Sequence, residues 1–136
     1  MSKRLFELIL AIKRKCQGNE EQIQTELGLS QAEFNALIVL DGKQQMLCHD
    51  FAERMGLSPS RGSRVLNTLV RHGYVSTQLS PDDRRAILIS LTGQGEAMRG
   101  CIHERTAACE DRIRHKVKAG SIQQIRESLE MLEAAL

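Results

Sequence analysis

Between Ser58 and Arg85 the chain carries side chains suited to gripping a polyanion. Ser58, Ser60, Arg61, Ser63, Arg64 and Asn67 fall close together, and Arg84 and Arg85 follow as an adjacent pair. Serine hydroxyls and a helix N-terminus suit phosphate oxygens, while an arginine fork can take guanine O6 and N7 together. The plain alternative is a solvated face and a solvated turn. A solvated helix face normally mixes acids with bases, yet no acid occurs from Ser58 to Gly73. From Ser58 to Ser90 five arginines face two aspartates, a net +3 that leaves −1 for the rest of a chain whose total is +2. The positive charge is local, as in a nucleic-acid footprint.

Other chemistries are poorly served. No nucleophile–base motif, phosphate loop or paired-carboxylate signature is present, so neither an enzyme nor a cofactor is expected. Cys16, Cys48, Cys101 and Cys109 form no C-x-x-C pair and no secreted-type framework, which suits a reducing cytoplasm. Cys48-His49-Asp50 and Cys101-x-His103, with Cys109 and His115, supply metal-ligand types. Their helical spacing puts no three on one face, so only a composite site across helices stays open. No apolar run approaches the ~18 residues that span a bilayer, so no membrane partner is expected.

The elements that must position the arginines are readable from start and stop signals. Leu5, Leu8, Ile9 and Ile12 recur at helical spacing in a helix over Lys3–Lys15, followed by a polar GNEEQIQTELG read as a loop or weak turn. Ser30 and Glu33 form a capping box for a helix ending near Asp41-Gly42. MLCHDFAERMG reads as a short helix packing Phe51, Ala52 and Met55, stopped by Gly56. Ser58-Pro59 restarts the chain as N-cap and first helical position, and Val65, Leu66, Leu69 and Val70 make the buried face. Mid-helix Gly62 costs ~1 kcal/mol against Ala, which close approach of a neighbouring helix would explain. Two short helices about a tight turn make a helix-turn-helix. Strands over 74–79 and 86–91, with Ile87, Ile89 and Leu91 on one face, then make a hairpin wing turned by SPDD. Thr92 caps a helix to Lys118, and Ser121–Leu136 forms another. The expected fold is mainly α with a small β-hairpin (α+β).

These residues carry a family likeness. LSPSRGSRVLNTLVRHGYV followed by SPDDRRAILISLTGQGEAM resembles the MarR family of bacterial winged-helix transcription regulators over roughly Leu29 to Met98, the flanking helices matching in layout. The most specific part is Asp83-Arg84-Arg85-Ala86, a strand, then Leu91-Thr92 and Gly95. The resemblance implies a homodimer with interleaved terminal helices, over residues 1–28 and 92–136, around a winged helix-turn-helix domain over 29–91. It places the helix from Ser58 in the major groove and the wing in the neighbouring minor groove of a pseudo-palindromic operator. Arg85 would enter that groove, and Asp83 would pair with an arginine to shape the tip. Thr77-Gln78-Leu79 departs from the family, which often has an arginine there, so fewer phosphate contacts are expected. The leading expectation is a DNA-binding repressor released by a small ligand or another signal. Two alternatives stay open: a winged helix used for protein–protein contact, and a redox sensor acting through Cys16, beside Lys13, Arg14 and Lys15.

Overall fold

The computed structural model describes residues 2–40 and 45–136. In these, α1 (Leu5–Leu27) and α2 (Gln31–Val39) precede β1 (Met46–Leu47), α3 (Cys48–Arg54) and α4 (Pro59–Arg71). Then come β2 (Val75–Leu79), β3 (Ile87–Leu91), α5 (Gly93–Lys116) and α6 (Ser121–Ala135). The chain divides into two compact units, one ending at Ile102 and one spanning His103–Leu136. A mainly helical chain with a small antiparallel sheet is the expected class.

In the first unit, Phe34, Leu37, Leu40, Phe51, Leu69, Ile89 and Ile102 are fully buried. They draw helices and sheet onto one aliphatic core with two phenylalanines, as the scarcity of aromatics dictates. The capping box holds: Ser30 Oγ accepts the Glu33 N–H, and the Glu33 carboxylate accepts the Ser30 N–H. At the other end of α2, Arg99 Nε donates to the Leu37 carbonyl at 3.0 Å, satisfying an acceptor that the helix itself leaves open. The helix ends at Val39; the expected stop at Asp41-Gly42 lies outside the described residues.

Three local expectations are corrected. The segment read as a polar loop continues α1 to Leu27, because its polarity is one-sided: Ile23 and Gln24 are buried and Leu27 packs on the core. Gln17–Glu21 and Gln22–Glu26 pairs support the exposed side. Met46 and Leu47, read as helical, form β1 and pair with Ile89 and Leu88, giving the sheet order β1-β3-β2. Val70, assigned to the buried face of α4, is 40% exposed; Leu66 and Leu69 carry that face, with Val65 packed at its edge.

Gly62 has a definite reason. A Cβ there would stand 2.6 Å from the Cβ of Ala52, so α3 and α4 touch at a glycine–alanine contact that no larger pair fits. The turn between them closes at Gly56, whose φ of 68° is costly for residues with a Cβ. Its N–H bonds to the Glu53 carbonyl, and Leu57 N–H bonds to that of Ala52.

In the second unit, α5 and α6 bound an open cleft of about 260 Å³ lined by Ile113, Ile122, Ile125 and Leu129 and edged by Glu110 and Arg126. Among the described residues, no helix is long and apolar enough to cross a membrane.

Candidate nucleic-acid interface

α4 begins as its sequence requires. Ser58 Oγ accepts the Arg61 N–H at 3.3 Å, and Pro59 occupies the first turn, where its missing N–H leaves no bond unmade. At about 100° per residue, positions 60, 63, 64 and 67 lie on a face roughly 100° wide, opposite Gly62, Leu66 and Leu69. Ser60, Ser63, Arg64 and Asn67 are all exposed there, and Arg61, also exposed, flanks them. Ser58 is exposed at the helix start, its hydroxyl 3.4 Å from that of Ser60.

Sequence reasoning counted Arg71 only as charge. It stands two turns beyond Arg64 on the same face, exposed, with its guanidinium donating to Thr68 Oγ1 at 3.3 Å. The seven-residue spacing was the available signal. The exposed face of α4 thus carries a row of arginines and hydroxyls without an acid.

The wing is β2 and β3, paired from Val75↔Leu91 to Leu79↔Ile87 and closed by a Ser80 N–H bond to the Ala86 carbonyl. Ile87, Ile89 and Leu91 share a face as expected, but burial fades toward the tip: Ile89 is fully buried, while Ile87 and Leu79 are exposed. At the tip, Ala86 N–H bonds to the Asp83 carbonyl, so Arg84 and Arg85 are the two central residues of a β-turn. Both are exposed. Asp83 was expected to pair with an arginine side chain. Instead its carboxylate accepts the Arg85 backbone N–H at 2.9 Å, as an aspartate leading such a turn does. The tip is shaped by this local bond.

Behind the face lies a buried carboxylate. Glu33 Oε2 is 2.7 Å from His72 Nδ1, while Oε1 accepts the Ser30 N–H. Burial pushes the Glu33 carboxyl up, but hydrogen bonds from His72 and Ser30 outweigh it, and the net shift is downward. A carboxyl lowered in the folded state adds stability above the ordinary carboxylate range and loses it as pH falls through the folded value. Glu33→Gln should therefore cost about 1–3 kcal/mol at neutral pH, and its deficit should shrink below about pH 4.5. Denaturant unfolding of both proteins across that range measures this.

The other candidate chemistries disperse. Cys16 and Cys101 are exposed and Cys48 and Cys109 half-buried, and all four are free. Cys109 Sγ accepts a hydrogen bond from Arg112. The one cluster of three potential metal ligands among the described residues is His49, Asp50 and Glu53, all exposed on α3. It brings in Glu53 and takes neither a cysteine nor His103 or His115.

A tight helix pair with an acid-free basic face, followed by a hairpin presenting two arginines, defines a winged helix-turn-helix protein. A sequence model described as MarR family matches residues 27–86. Over that stretch the chain is similar to the MarR family, and the relatives it matches include proteins described as HTH-type transcriptional regulators. It is 32% identical over 95 residues to the HTH-type transcriptional repressor YetL of Bacillus subtilis, covering 68% of this chain and 57% of that protein. It is 26% identical over 111 residues to the HTH-type transcriptional regulator YfiV of the same organism, covering 82% of this chain and 69% of that one. The fold matches the structure of wild-type apo MarR from E. coli with a TM-score of 0.80 and 19% identity, covering 97% of this chain and 98% of that one.

Proposed function

We infer that this chain is a sequence-specific double-stranded DNA-binding repressor that acts as a homodimer and is released by a small ligand or another signal. The observation that carries this is the α4 face with the wing tip: exposed Arg61, Arg64 and Arg71 on one element, Arg84 and Arg85 on the next, and no acid on the helix. On this reading Ser58, Ser60, Ser63 and Asn67 contact phosphate or base edges in the major groove, and Arg85 reaches the adjacent minor groove. Asp83 contributes by holding the turn. The wHTH domain covers 29–91, and residues 1–28 and 92–136 form the dimerisation region.

Two such helices in a two-fold dimer read a pseudo-palindrome whose half-sites lie about one helical turn, ~10 bp, apart. Sequencing genomic fragments retained by the protein tests this: enrichment of a two-fold motif with that spacing supports it, and unenriched recovery at all salt concentrations argues against specific reading.

Leu5, Phe6, Leu8 and Ile12 are exposed along α1, as are Leu129 and Met131 on α6. Apolar faces of this extent mark interfaces, and closed two-fold pairing is the commonest way to cover them. Sedimentation at micromolar concentration should give a dimer; a stable folded monomer would remove this part of the reading.

A further inference from the structure

The residue that ends α4 is tied across the fold. His72 caps α4: its N–H bonds to the Thr68 carbonyl, and its own carbonyl accepts a bond from the Gln94 side chain of α5. Its ring bonds to Glu33, 39 residues earlier, so one carboxylate holds both the first turn of α2 and the C-terminal end of α4. Glu33 is almost wholly buried, whereas the His72 side chain is 52% exposed, leaving the imidazole open to solvent. Tyr74 stands edge-on to the ring at 6.4 Å. The surroundings are few. α2 offers Glu33 and Ser30, and α4 offers Arg71, turned to Thr68. The start of β2 brings Tyr74, and α5 brings the neutral Gln94. The titratable pair is thus Glu33 and His72, with Tyr74 beyond it.

We propose that His72 is a positioning residue for DNA binding and makes that binding proton-linked: the His72–Glu33 bond sets the C-terminal end of the recognition helix, and holds it more firmly when the imidazole is charged. This rests on the DNA-binding reading above. A charge-assisted hydrogen bond is roughly twice as strong as a neutral one. Neutral His72 keeps a donor at Nδ1, so deprotonation loosens the end of α4 without releasing it. That end carries Arg71, in line with Arg64. DNA affinity should fall about three- to ten-fold between pH values at which imidazoles in general are charged and those at which they are neutral.

The test uses a duplex of ~30 bp selected from a random pool by the parent protein, with its affinity measured across that pH range at constant ionic strength. His72→Asn keeps a donor near the Nδ1 position but no charge. It should bind as the parent does at high pH and gain nothing at low pH. His72→Ala should bind more weakly throughout, with the salt slope unchanged, and adding Glu33→Gln to it should weaken binding little further. An unchanged pH profile in His72→Asn overturns the proposal even where His72→Ala fails to fold. A salt slope reduced by about one in His72→Ala, with effects additive to Glu33→Gln, overturns it too, since His72 would then contact phosphate directly. A parent that selects no DNA overturns the DNA-binding reading and this proposal together. A parent that binds, with His72→Ala matching it at every pH, overturns this proposal alone.

Discussion

Gly95→Ala should destabilise the protein by about 3 kcal/mol or more, lowering its Tm by ~10 °C. Gly95 is buried in the first turn of α5, and a Cβ built on it would fall 2.0 Å from the Tyr74 carbonyl oxygen and 3.1 Å from Leu91 Cδ2. The oxygen cannot yield cheaply. It accepts the Thr92 N–H at 3.0 Å, at the point where β2 and β3 begin their pairing. Thr92 adds to the lock, since its hydroxyl donates to the Gly73 carbonyl and accepts the Gly95 N–H. The junction of recognition helix, wing and α5 is therefore built on a backbone contact that only glycine permits. Gly100→Ala serves as the control, being exposed on the same helix with open space around its Cα. It should raise stability by roughly 0.5–1 kcal/mol. Thermal unfolding of both variants checks the pair; equal stability of Gly95→Ala and the parent would contradict the packing.

The second large effect is on binding. Removing Arg64 and Arg85 together should weaken the selected duplex by about 100- to 1,000-fold, because the two sit on different elements and, on the proposed reading, would meet different grooves. Arg64, if it reads a base, carries ~1–3 kcal/mol of discrimination, so Arg64→Ala should hurt the selected site more than random DNA. On the proposed reading Arg85 would sense groove width through negative potential, so its loss should cost most beside A·T-rich flanks. Asp83→Ala supplies a contrast of sign. It removes a negative charge, which by simple electrostatics would tighten binding, but it also removes the acceptor for the Arg85 N–H. Binding should weaken, since a loosened turn no longer presents the arginines.

What was legible in the sequence was what local chemistry decides. Ser30 with Glu33, Ser58 with Pro59, Thr92 ahead of α5, and Gly56 and Gly73 as stops all act within a few residues, and each is where it was expected. Elements that depend on distant partners were not legible. β1 is two residues long, too short to show alternation, and exists because β3 offers a free edge. The second half of α1 looked like a loop since its apolar residues are only Ile23 and Leu27. Glu33 was readable as a cap but not as the partner of His72, since nothing local marks a bond between residues so far apart. At the wing, the arginines and the shaping role of Asp83 were legible, but not its partner atom: a backbone N–H two residues on leaves no trace in the pattern of charges.

The central claim, that the α4 face and the wing tip together bind duplex DNA, meets its most direct test in the salt dependence of affinity. For the parent, log K should fall linearly and steeply with log[salt] on the selected duplex. For Arg64→Ala/Arg85→Ala the slope should be smaller by one to about two, depending on whether Arg64 meets a phosphate as well as a base. A parent affinity insensitive to salt, or a double variant that binds with the parent's affinity and slope, would contradict the account.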